Sequence, residues 1–339
     1  MPTPENASPP PSDSFDFNKA ARDIVSDHPA LKRNTVFVDL DTNTRTGPRL
    51  ARMRATLSGK FRKMLRGARK KAGTLKRGSA HAVADGDDGV MVLAMTLDRP
   101  FGLLAGKAVT DEMDRLFAFH HEIGHLIIPA AHAGKLDDYF SKLFGISNSG
   151  REVAADVYAT IRHLQKYGAD SAPLEFAPFK RATDTMNNSH DDATSYVTSF
   201  AIDAVLRDRH KLLAANLTPA QVVEKVKEYH LRYTPTRPQV DALLKDFAPL
   251  QNQIPKITRE NTAPLLKLAE IALDPATSPQ AFYMANRVLS VFLGKMLTGS
   301  MWVDIARQLH EKEKTVTLDS IFPPSEKRAF PAHLPRRAA

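Results

Sequence analysis

Residues 110–129 constrain the fold more than any other stretch, because they define one helix and fix both of its ends. Thr110 is a good N-cap, and Asp111, Glu112 and Asp114 place carboxylates at the positive end of the helix dipole. Pro129 stops the helix after residue 128. The second half of this helix carries His121-Glu122-Ile123-Gly124-His125 in an apolar run. A four-residue spacing on a 3.6-residue turn sets His121 and His125 one above the other, where two imidazoles can share one metal ion. Glu122 stands beside them, placed to accept a proton from a metal-bound water. His120 points about 100° away and is expected at the surface or behind the ligands.

The chain has no cysteine, which excludes disulfides and thiolate-bound zinc, so any metal must be held by His, Asp or Glu. A helix is expected over residues 151–167, stopped by Gly168. It opens Glu152-Val153-Ala154-Ala155-Asp156, two carboxylates four residues apart on one face among small apolar neighbours. Residues 121–125 together with 152–156 resemble the zinc site of the gluzincin metallopeptidases, the thermolysin-like branch of the zincins.

That resemblance implies a Zn²⁺ cofactor with His121, His125 and Glu152 as ligands, Glu122 as general base, and Asp156 orienting a zinc-bound histidine. The competing third ligand is His132, one residue late for the metzincin pattern, with Ile128 at the glycine position, Ala131 at the histidine position and Pro129 intervening. Enzymes of this kind steady the oxyanion with a Tyr or His; Tyr196, His190 and Tyr158 are the nearest candidates in sequence. The implied reaction is hydrolysis of a peptide or protein substrate.

Ahead of the motif helix, residues 35–40 and 90–97 have the β-branched and apolar character of strands. The second is nearly continuous in apolar residues; it is either the edge strand that aligns an extended peptide or a buried sheet strand. Between them lies a basic block: thirteen Lys and Arg from Arg45 to Arg77, with no acidic residue between Asp41 and Asp85. Without those thirteen the chain has 34 basic against 38 acidic residues, a net charge of about −4 where the whole is +9. Leu50, Met53, Leu57, Phe61, Met64, Leu65 and Ala68 recur at helical spacing, giving a basic helix with one apolar stripe. Such a helix packs its stripe on the domain, or presents itself to an anionic membrane, nucleic acid or an acidic partner. Residues 73–89 are expected to be a flexible connection.

Beyond Gly168 the sequence is helical and lacks convincing strands, with helix-period apolar residues over 189–213, 218–230, 237–248, 259–273, 279–297 and 301–313, and a short helix is also expected at 136–144. The element order and the resemblance imply an α+β fold. A zincin-like catalytic domain over 18–210, with a small mixed or antiparallel sheet and the active-site helix, would precede a mainly α-helical region over 211–322. Residues 1–17 form a Pro/Ser-rich leader expected to be disordered, and 323–339 a loose tail.

No P-loop, dinucleotide fingerprint or nucleophile elbow is present, and the segment 218–247 lacks the basic and amide cluster of a DNA-recognition helix. No apolar run reaches the length of a membrane span, and the N-terminus does not resemble a secretory signal. The expected location is therefore cytoplasmic, or outside the cell by a non-classical export route. The alternative to an enzyme is a non-catalytic zincin-like scaffold that binds an acidic partner or anionic membrane through residues 45–77.

Overall fold

The computed structural model describes residues 15–29, 34–40, 44–47, 49, 52–53, 58–74, 81–85, 88–93, 110–127, 150–187, 196–254, 261–293, 297 and 299–324. The chain falls into two compact units, Met1–Leu126 and Ile127–Ala339, each taken here by itself. Together they make an α+β protein, mostly helical with one small mixed sheet.

In the first unit, strands β1 (Asn34–Asp39), β2 (Thr44–Thr46), β3 (His81–Asp85) and β4 (Asp88–Leu93) form a sheet in the order β2-β1-β4-β3. β1 runs antiparallel to β2 and parallel to β4, whose other side pairs antiparallel with β3. Among the described residues, helices α1 (Phe17–Asp27), α2 (Gly59–Thr74) and α3 (Asp111–Ile127) accompany it. Alternation along the strands decides what covers each face. Val36, Val38, Val90 and Val92 form one buried cluster with Phe61, Met64 and Ala68 of the basic helix α2. Phe37 lies on the opposite side of β1 and meets Phe119 of α3 at 6.0 Å between ring centroids.

Of the two readings of the apolar strand the structure bears out the buried one: it is interior, paired on both sides, and among the described residues the sheet edges are β2 and β3. Its near-continuous apolarity belongs to a strand covered on both faces. The stretch expected as a flexible connection contains β3, whose His81-Ala82-Val83-Ala84-Asp85 is too short and too weakly alternating to be conspicuous.

The second unit is helical: α4 (Gly150–Tyr167), α5 (Ala172–Asn187), α6 (Ser199–Arg207), α7 (Arg209–Ala214), α8 (Pro219–Tyr233), α9 (Arg237–Phe247), α10 (Ala263–Leu273), α11 (Pro279–Phe292), α12 (Ser300–Glu313) and α13 (Leu318–Ile321). Its centre is α4, buried from Val153 to Ile161 and packed by α6 and α8. Local chemistry sets the boundaries. Thr218 with Gln221 forms a capping box ahead of Pro219, Ser278 caps α11 ahead of Pro279, and Gly168 ends α4 at a φ of +85°.

Of the helix expected over 189–213, residues 189–195 lie outside the described residues; the rest forms α6 from Ser199 and α7, separated at Asp208. The one expected over 279–297 ends at Phe292. The boundary expected near residue 210 falls inside α7. Helix α5 was not foreseen, because Pro173 and Pro178 broke its pattern. His132, His190, residues 1–14, 136–144 and the tail beyond 324 lie outside the described residues. Among the described residues no helix is long and apolar enough to cross a membrane.

Candidate metal centre

Helix α3 begins as expected, the Thr110 hydroxyl accepting the Met113 N–H at 3.2 Å. Leu116, Phe119, Ile123, Leu126 and Ile127 bury one side of it. Two contacts fix it to the sheet. The Arg115 guanidinium donates to both carboxylate oxygens of Asp39 at 3.1 and 3.0 Å, in a buried pair at the end of β1. The Phe119 ring also packs against Phe15 and Phe17, with centroids 6.1 and 6.0 Å away. The helix that carries the motif is thus anchored by charge at Arg115 and by aromatic packing at Phe119, both within two turns before His121.

His121 and His125 are half-buried, and their Nε2 atoms lie 3.2 Å apart. Their rings stand at 89° with centroids 4.8 Å apart. Glu122 is buried, 6% exposed. His120 is equally buried and packs edge-on beside Phe119, which removes the surface reading of that residue.

Glu152 sits half-buried in the first turn of α4. Asp156, one turn later, is 0% exposed, so the pair is no wet acidic face. Asp156 Oδ1 accepts from Arg181 Nη2 at 2.7 Å, and Oδ2 accepts from the Thr198 hydroxyl at 2.6 Å. Burial opposes the Arg181 charge, but the Asp156 carboxylate, followed by Glu152 and Asp184, more than offsets this and holds the pKa above its ordinary value. Arg181 lies on the unforeseen helix α5 and Thr198 just before α6, so neither was among the residues singled out in the sequence.

The ligating atoms of His121, His125 and Glu152 all lie within 4.8 Å of one another, a group that could hold a metal ion. Tyr196 is half-buried, with the Arg181 guanidinium 5.7 Å over its ring, beside the Asp156 network. Tyr158 is fully buried among the core side chains of α4. No family model, curated protein or solved structure matches this chain.

Proposed function

We propose that this protein is a zinc-dependent metallopeptidase with a zincin-like, gluzincin-type site, acting on a peptide or protein. The observation that carries the reading is the 3.2 Å separation of the His121 and His125 Nε2 atoms, with a Glu152 carboxylate oxygen within 4.8 Å. A tetrahedral zinc with ligands at about 2.0–2.1 Å needs its nitrogens about 3.3 Å apart. The histidine pair already has that spacing, and the Glu152 carboxylate is the third group that could join it.

Zinc held by these three side chains would lower the pKa of a fourth-position water toward neutrality and polarise the scissile carbonyl. Glu122, next to His121 and shielded from solvent, would accept the proton of such a water and return it to the leaving amine. Asp156 orients a ligand histidine. Arg181 and Thr198, each donating to one of its oxygens, hold the carboxylate still. Tyr196, beside Arg181, is the donor assigned to the oxyanion, and His190 is the alternative.

Metal content and turnover test this directly. Elemental analysis should find about one zinc per chain in the wild type and in His132→Ala, and little in His121→Ala or Glu152→Ala. On a mixed pool of fluorogenic peptides, Glu122→Ala should keep its zinc and lose on the order of 10²–10⁴ in rate. Undiminished hydrolysis by Glu122→Ala, or full zinc in Glu152→Ala, would overturn the assignment.

A further inference from the structure

The basic helix α2 buries its apolar stripe, and what it leaves outside is chemically uniform. Every exposed residue from 59 to 70 is Lys, Arg or Gly: Lys60, Arg62, Lys63, Arg66, Arg69 and Lys70, with Gly59 and Gly67 among them. At 100° per residue these positions cover the half-cylinder opposite Phe61, Met64 and Ala68. The exposed Arg45 of β2 adds a cation in the same unit; burial and then the charge of Arg69 hold its pKa below the ordinary value.

We infer that this face of α2 binds the sugar-phosphate backbone of a nucleic-acid duplex without reading its sequence. The inference is independent of the metal centre. A membrane-bound amphipathic helix puts its apolar side into the lipid, but here that side is covered by the sheet, and no exposed side chain from 59 to 70 is apolar. Single strands are held by stacking on aromatics, and Phe61, the sole aromatic of α2, is buried. A protein partner would want an apolar or aromatic centre to its contact, which a face of Lys, Arg and Gly lacks.

An array of phosphates asks only for charge at regular intervals. The exposed stretch is about 17 Å long at 1.5 Å per residue, matching about five phosphate steps of one strand. The glycines fit as well. A Cβ at Gly59 or Gly67 would meet nothing within 4 Å, so packing does not require either one. Gly67 weakens an exposed helix interior relative to Ala, and it leaves the backbone open to close approach.

The test uses the purified full chain and two unrelated 20-base-pair fluorescent duplexes, followed by anisotropy at 50 and 200 mM salt, beside phosphatidylcholine vesicles with and without phosphatidylserine. Both duplexes should bind equally, with affinity falling on the order of 10³-fold between the two salts for six or seven phosphate contacts. The charge reversal Arg62→Glu/Lys63→Glu/Arg66→Glu should lose at least tenfold at 50 mM. The milder Arg66→Gln/Arg69→Gln should reduce the slope of log K against log salt by about 2, a change that partial unfolding does not imitate. Absence of duplex binding at 50 mM salt, an unchanged slope in the neutralised variant, or binding to anionic vesicles alone would overturn the inference.

Discussion

At the scale of single residues, two buried ion pairs organise the surroundings of the motif, each within its own unit. Asp39 with Arg115 ties the motif helix to the end of β1, and Asp156 with Arg181 ties α4 to α5. Buried pairs of this kind add little net stability over an apolar pair, yet removing one member strands a desolvated charge. Asp39→Ala should therefore lower the unfolding free energy by about 3–5 kcal/mol in urea titrations, because Arg115 would be left buried without its carboxylate. The combined Asp39→Leu/Arg115→Met replacement should recover most of that loss. If Asp39→Ala costs less than about 1 kcal/mol, the pair does not anchor α3.

At the scale of elements, the partition of α2 into a buried stripe and an outer face gives a sharp contrast. Phe61→Ala should cost about 3–5 kcal/mol, since it empties a site between α2 and the valines of β1 and β4, whereas Arg62→Ala on the outer face should stay within about 0.5 kcal/mol. Thermal melts of the two variants would separate them; equal losses would contradict the packing. That stripe was legible in the sequence because spacing of three and four residues is a long, repetitive signal. So were α3 and α4, whose ends are marked by Thr110 and Gly168 and whose ligand candidates repeat at four residues. The positions of β2, β3 and α5 were not legible. Three- and five-residue strands carry too few alternations to register, and α5 carries Pro178 in its interior, where a proline ordinarily interrupts the helical pattern. Missing α5 meant missing Arg181, so the partner of Asp156 had no sequence signal at all. His132 and His190 lie outside the described residues, so the structure adds nothing to what their sequence context suggested.

At the scale of the whole molecule, the helical unit should be sensitive to mild acid. Burial, and then the nearby Lys166, lowers the His163 pKa to about 4; burial likewise lowers His230 to about 4, against a hydrogen bond with the Gly150 backbone. His163 is fully buried and shares a 2.8 Å hydrogen bond with Ser171. A folded-state pKa below the unfolded value of about 6.5 means that the unfolded chain takes up the proton first. The stability these histidines contribute is thus complete above pH 6.5 and is lost as the pH falls from there toward 4. For His163 the loss amounts to about 3 kcal/mol. Urea midpoints at pH 7, 5.5 and 4 should fall in that order, with a smaller drop in His163→Gln; an unchanged midpoint would show that His163 titrates normally.

The parallel pairing of β1 with β4 has a further consequence for how the first unit assembles. Hairpins β1–β2 and β3–β4 can each form from neighbouring residues, but Asn34 opposite Asp88 joins chain positions more than fifty residues apart. The loop that must close between them holds all thirteen cations of the basic block. Its closure pays conformational entropy and works against the loop's own repulsion. The search for that one contact is therefore the slow event of the sheet, and dissolved salt or a passing polyanion, by quieting the repulsion, acts as its accelerator.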